Sequence, residues 1–189
     1  MIPLNDLLRE VRACSLCELP LGPNPVLRAS ESARLLIIGQ APGTKVHHSG
    51  IPWNDPSGDR LREWLAIDKE VFYDEARVAI VPMAFCYPGK GKSGDLPPPP
   101  RCSQTWHERL LEQMPAIETT LLVGKYAQDY YLGKSSATLT ERVQDWRAHR
   151  PRYWVTPHPS PRNRLWLRRN PWFEQEVVPA MRKHVQKIL

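Results

Sequence analysis

Long apolar runs are missing from this chain. The longest, Leu35-Leu36-Ile37-Ile38 and Leu121-Leu122-Val123, are far too short to cross a bilayer as a helix, so no membrane span is expected. The opening residues, Met1-Ile2-Pro3-Leu4-Asn5-Asp6, lack the basic segment and following apolar segment of a secretory leader, and a cytoplasmic location is expected. Cysteine is scarce, with 4 residues in 189. In a reducing compartment these are not expected to pair as structural disulfides, which leaves metal ligation or inert core thiols. Internal repeats and extended low-complexity tails are also absent.

What is present fits one core. A chain of 189 residues with 41% apolar content can enclose one substantial hydrophobic interior but is slightly short for two ordinary domains, so residues 1–189 are read as a single domain and a monomer. Lys plus Arg number 26 against 20 Asp plus Glu, a net charge of +6 that suits a polyanionic partner.

Periodicity predicts an α/β architecture. Leu4, Leu7, Leu8 and Val11 recur at helical spacing, giving a helix over residues 4–13 that leads into Cys14. Ala33 to Gly39 reads as a buried strand, and Val78–Val81, Thr120–Val123 and Arg152–Val155 read as three more. Helical patterns lie between them over Gly58–Ala66, Thr105–Met114, Tyr126–Leu132 and Thr140–Trp146. Strands alternating with helices imply a three-layer α/β/α fold with a central, mainly parallel four-stranded sheet, whose ligands gather at the carboxyl ends of the strands. Residues 87–100, Tyr-Pro-Gly-Lys-Gly-Lys-Ser-Gly-Asp-Leu-Pro-Pro-Pro-Pro, read as a loop flanked by Cys86 and Cys102.

The cysteines form the clearest constellation. Cys14-x2-Cys17 places two sulfurs on one tight turn, while Cys86 and Cys102, with fifteen residues between them, can close a loop over the same centre. Spacing alone admits an iron–sulfur cluster, a structural zinc or unliganded thiols.

Four segments in order carry a resemblance to a known superfamily: Cys-x2-Cys, the loop Gly39-Gln40-Ala41-Pro42-Gly43 after a strand, Cys-x15-Cys, and His158-Pro159-Ser160-Pro161. Together they resemble the iron–sulfur uracil-DNA glycosylases of families four and five. That resemblance implies a [4Fe-4S] cluster on Cys14, Cys17, Cys86 and Cys102, and DNA containing uracil or another deaminated base as the partner. The string His-Pro-Ser-Pro-Arg-Asn is more similar to the single-strand-selective monofunctional glycosylases.

Base removal develops positive charge on the sugar and negative charge on the departing base, so the site needs a group that orients water, donors facing the base, and an aromatic surface. The resemblance implies that Trp53 stacks on the extruded base and that His158 donates a hydrogen bond to it; a neutral imidazole suffices for that role. Ala41, Gly43, Asn54 and Asn163 are the further candidate contacts with the base. Ser160, Pro161 and Arg162 are expected to press on the DNA helix, and Lys90 and Lys92 to meet phosphates.

Two departures bear on chemistry. Where family four carries Gly-Glu-Ala-Pro-Gly, this chain has Gln40, whose amide can orient water but cannot accept its proton. Family five places an Asp in a downstream Gly-Asp-x-Ser-Gly segment, and Asn54-Asp55-Pro56-Ser57-Gly58 matches its last four positions, which makes Asp55 the candidate catalytic carboxylate beside His158 and Gln40. Relatives carry Asn four residues before the third cysteine, where this chain has Pro82. The expected activity is a monofunctional glycosylase. A non-catalytic or covalent uracil-DNA binder and a zinc-stabilised nucleic-acid adaptor are the alternatives. Residues 87–101 contain no His, which disfavours the covalent route.

Overall fold

The computed structural model describes residues 1–189. Helix α1 (Leu4–Arg12) buries Leu4, Leu7, Leu8 and Val11, the four residues whose spacing predicts it. Strand β1 (Leu35–Ile38) follows, then helices α2 (Thr44–Ser49), α3 (Pro56–Leu65) and α4 (Lys69–Phe72) and strand β2 (Val78–Ile80). A two-stranded hairpin, β3 (Lys90–Gly91) and β4 (Gly94–Asp95), precedes helix α5 (Pro100–Glu112). The chain continues through β5 (Thr119–Val123), α6 (Lys125–Leu132), α7 (Leu139–Gln144), β6 (Tyr153–Thr156), α8 (Arg164–Arg169) and α9 (Val178–Ile188).

The central sheet has the order β2-β1-β5-β6, and every pairing in it is parallel. Every residue of β1, β2 and β5 is buried, as a sheet covered on both faces by helices requires. Helix α3 packs against α9, and α1 against α5. One cluster of 38 buried apolar residues runs from Leu4 to Ile188. The architecture is the expected three-layer α/β/α, and no helix is long and apolar enough to cross a membrane.

Local boundaries differ from the sequence reading for physical reasons. Helix α3 starts at Pro56 rather than Gly58, because Asp55 caps it and a proline suits the first helical position. Helix α5 likewise starts at Pro100 rather than Thr105, which moves Cys102 from a loop into a first helical turn. The segment expected to be only a loop carries the β3–β4 hairpin, turning through Gly94 at φ +138, a region few other residues adopt. Helix α9 lies beyond the helices that the sequence pattern predicts, although Val178, Met181, Val185 and Ile188 form its buried stripe and Pro179 lies in its first turn.

Candidate active site

The carboxyl ends of β1, β2 and β6 open onto a cavity of about 450 Å³. Gln40, Ala41 and Gly43 line it from the loop after β1; Trp53, Asp55 and Ser57 line it from the α2–α3 connection. His158, Ser160, Arg162 and Asn163 close it from the loop after β6. Residues more than a hundred positions apart therefore converge where a parallel sheet places its ligand.

The first loop is fixed by sheet-like pairing that continues beyond the strands. The amide of Met83 donates to the Gly39 carbonyl at 2.8 Å, and that of Ala84 to the Gln40 carbonyl at 3.0 Å. Pro82 thereby joins the cavity wall beside Gln40. Behind Pro82, the buried His107 bonds its carbonyl through Nε2 at 2.8 Å and the Tyr131 hydroxyl through Nδ1 at 2.6 Å. A carbonyl only accepts, so Nε2 carries the proton and Nδ1 accepts from Tyr131. Burial pulls the His107 imidazole down to about 4, against the raising effect of the Pro82 carbonyl, so the ring is neutral at pH 7.

Trp53 has φ +59, a left-handed conformation that a bulky residue adopts only when its surroundings impose it. Three hydrogen bonds from two side chains brace it. Arg62 Nη1 donates to the Trp53 carbonyl at 3.2 Å and to the Tyr73 hydroxyl at 3.2 Å, and Tyr73 in turn donates to the Pro52 carbonyl at 2.7 Å. Arg62 is itself buried, paired with Asp59 and laid over the Phe72 ring at 5.0 Å. Gly58 leaves space for the turn, since a Cβ there would stand 1.7 Å from the Trp53 carbonyl oxygen. The indole then lies against Gly39, where a Cβ would come within 2.7 Å of the ring, and its centroid is 5.6 Å from that of His158.

The β6 loop fixes the second motif. The Ser160 amide donates to His158 Nδ1 at 3.2 Å, so Nδ1 is an acceptor and Nε2 bears the proton. Asn163 Nδ2 donates to the His158 carbonyl at 2.7 Å, spending that donor on the loop itself. Burial lowers the His158 pKa below the ordinary value, partly offset by the negative charge of Asp55. Asp55 Oδ1 accepts from the Gly58 amide at 2.8 Å, so the carboxylate caps α3 while also facing the cavity.

A family model of the uracil DNA glycosylase superfamily matches residues 28–182. The chain belongs to this superfamily. The matched stretch takes in both site loops, Cys86 and Cys102, and begins after Cys14 and Cys17.

Within this superfamily fold, the remaining candidates divide. Asn54 is exposed and does not line the cavity, because the left-handed Trp53 turns the chain there. Pro161 lies outside it too, exposed at the rim, and Lys90 and Lys92 are exposed on the hairpin. Arg162 is tied down: its Nη1 donates to the Ser93 carbonyl at 3.1 Å, so the hairpin and the second motif form one continuous rim. Ser93, Gly94 and Asp95 thus enter the cavity wall. Only the placement of the hairpin between Cys86 and Cys102 hints at this in the sequence.

Cys14, Cys17, Cys86 and Cys102 line a second, smaller cavity together with Phe85 and Trp106. Burial pushes the Cys102 thiol up to about 12 and raises Cys86, with the neighbouring cysteines adding to both. Four cysteines lining one space offer a donor set whose chemistry suits a soft metal centre. The Phe85 amide donates to Cys102 Sγ at 3.4 Å, the kind of contact that supports a thiolate ligand.

Proposed function

We propose that the protein is a monofunctional DNA glycosylase that hydrolyses the N-glycosidic bond of uracil, or of another deaminated base, in DNA. The observation that carries this reading is the meeting of Asp55, His158 and Trp53 on one cavity, with His158 Nδ1 occupied by the Ser160 amide so that its Nε2–H is the free donor. An extruded base packs against the Trp53 indole. Asp55, helped by the Gln40 amide, orients a water toward the sugar. The water oxygen bonds to C1′ as the C1′–N bond breaks, the bonding pair leaves with the base, and Asp55 takes the water proton. The Nε2–H of His158 stabilises the charge on the departing base without transferring its proton. No lysine takes part, so no Schiff base forms.

In the same reading Cys14, Cys17, Cys86 and Cys102 hold a [4Fe-4S] cluster, supported by four thiols lining one cavity. When bound, the cluster supplies a structural cross-link between the turn after α1 and the first turn of α5. Iron and acid-labile sulfide in the purified protein support this assignment. Stoichiometric zinc in their place favours a zinc-stabilised adaptor.

A second reading, a damaged-base binder without catalysis, is favoured by the one Asp55 oxygen spent on the α3 cap and by the amide of Gln40 in the first motif. Purified protein incubated with oligonucleotides carrying uracil, hypoxanthine or xanthine separates the two. Abasic product from at least one substrate supports the glycosylase. Binding without base release from all three overturns it.

A further inference from the structure

The helix that follows the second motif has one face with no partner in the protein. Arg164, Leu165, Arg168 and Arg169 of α8 share its outward side and are exposed, Leu165 at 53%. Trp166 and Leu167 occupy the opposite side and pack against the core. The helix is held firmly in this orientation: Trp166 Nε1 donates to Thr140 Oγ1 at 2.9 Å, and Asn170 Nδ2 donates to the Trp166 carbonyl at 2.9 Å.

None of these three arginines takes part in an ion pair, although nine such pairs occur elsewhere in the protein. Arg164 and Arg168, four residues apart on the helix, repel one another. Arg168 and Arg169 suit the negative carboxyl end of a helix, but Arg164 lies in the first turn, where the helix dipole opposes a cation. The local physics therefore disfavours the arrangement, and nothing within the chain compensates it. A polyanion does, by replacing the repulsion with phosphate contacts and releasing counterions. Helix α8 also starts at the cavity: Asn163 lines the cavity and immediately precedes Arg164.

We propose that the outward face of α8 is a phosphate-binding surface that grips duplex DNA beside the base pocket, with Arg164, Arg168 and Arg169 on the backbone and Leu165 against the carbon face of a deoxyribose. Its placement rests on the glycosylase reading, which brings the strand to the adjoining cavity. Guanidinium groups match phosphate oxygens in geometry as well as in charge. The surface carries no base-reading role, and its effect is on affinity and salt dependence.

The test measures binding of undamaged duplex DNA by fluorescence anisotropy across a salt series. Combined Arg164→Ala, Arg168→Ala and Arg169→Ala substitutions are expected to lower the log–log salt slope by about 2 to 3, at roughly 0.9 per lost phosphate contact. The matching triple Lys variant is expected to keep the slope. Each single Arg→Gln variant lowers the slope by about 1, which preserves the test should the triple variant not fold. Unchanged slopes in correctly folded variants overturn the proposal. Wild-type protein that binds duplex with this arginine dependence yet releases no base overturns the glycosylase reading and leaves this surface standing.

Discussion

Arg62 Nη1 donates to the backbone carbonyl of Trp53 at 3.2 Å, joining a buried helical guanidinium to the residue with the most unusual backbone in the site. The left-handed turn at Trp53 costs roughly 1–3 kcal/mol in isolation, and the Arg62–Tyr73 pair offsets it from behind. Strain held this way gives the indole one orientation over the cavity.

The turn can be perturbed from two sides. Gly58→Ala puts a methyl group 1.7 Å from the Trp53 carbonyl oxygen, so the loop must move. Base release is expected to fall by more than tenfold, a loss in keeping with misplacement of a positioned group. Tyr73→Phe removes one donor to the Pro52 carbonyl and is expected to cost about 1–2 kcal/mol in urea unfolding, with a smaller loss of activity. Equal activity of Gly58→Ala and wild type would show that the indole's position is immaterial.

Acid stability should report on His107. Its pKa in the fold is about 4 against an ordinary 6.5, so the unfolded chain binds more protons between these values and stability falls as pH drops through that window. A shift of this size corresponds to about 3 kcal/mol, complete near pH 4. Urea unfolding at pH 7 and pH 4.5 is expected to show most of that loss in wild type. A His107→Gln variant should show a flatter dependence, at the expense of a lower starting stability. An identical pH dependence in the two proteins would remove His107 as the cause.

The fold was legible because its strands are continuous apolar runs and α1 has an unambiguous stripe at Leu4, Leu7, Leu8 and Val11. The convergence of Gln40 and His158 follows from strand ends in a parallel sheet, whereas Trp53 and Asp55, between two helices, are marked only by the family resemblance. Other features depended on relations that sequence does not encode locally. The clamp on Trp53 comes from Arg62 and Tyr73 on neighbouring helical segments, and nothing about an Arg in a helix announces a buried one. Asp95 reaches the cavity on the hairpin, which Arg162 ties to the second motif through Ser93. The α8 arginines carry no signal in the sequence, because Arg-Leu-Trp-Leu-Arg-Arg shows no long helical period and its two sides part only once Trp166 and Leu167 are packed inward.

His158 should govern the low-pH limb of base release. Its Nδ1 accepts from the Ser160 amide, so protonation would set two N–H donors face to face across 3.2 Å and break the loop. Burial holds the pKa below the ordinary value of 6.5, and the neutral ring therefore survives to lower pH than a free histidine. Single-turnover rates are expected to stay level from pH 8 to about 6.5 and to decline only below it, in step with the His158 resonance in an NMR titration. A His158 midpoint above 6.5 would contradict this.

Asp55 presents the sharpest separation of structure from chemistry. One oxygen accepts the Gly58 amide at 2.8 Å, and an asparagine carbonyl can do the same, since Asn and Asp cap helices almost equally. What asparagine cannot do is accept a proton from water. Asp55→Asn is therefore expected to keep the wild-type melting temperature to within a few degrees and to lose more than tenfold in base release. Asp55→Ala should lose the cap as well, at about 1 kcal/mol. If Asp55→Asn releases base at the wild-type rate, the carboxylate is a helix cap alone, and water activation must pass to another group on the cavity wall, of which Asp95 is the remaining carboxylate.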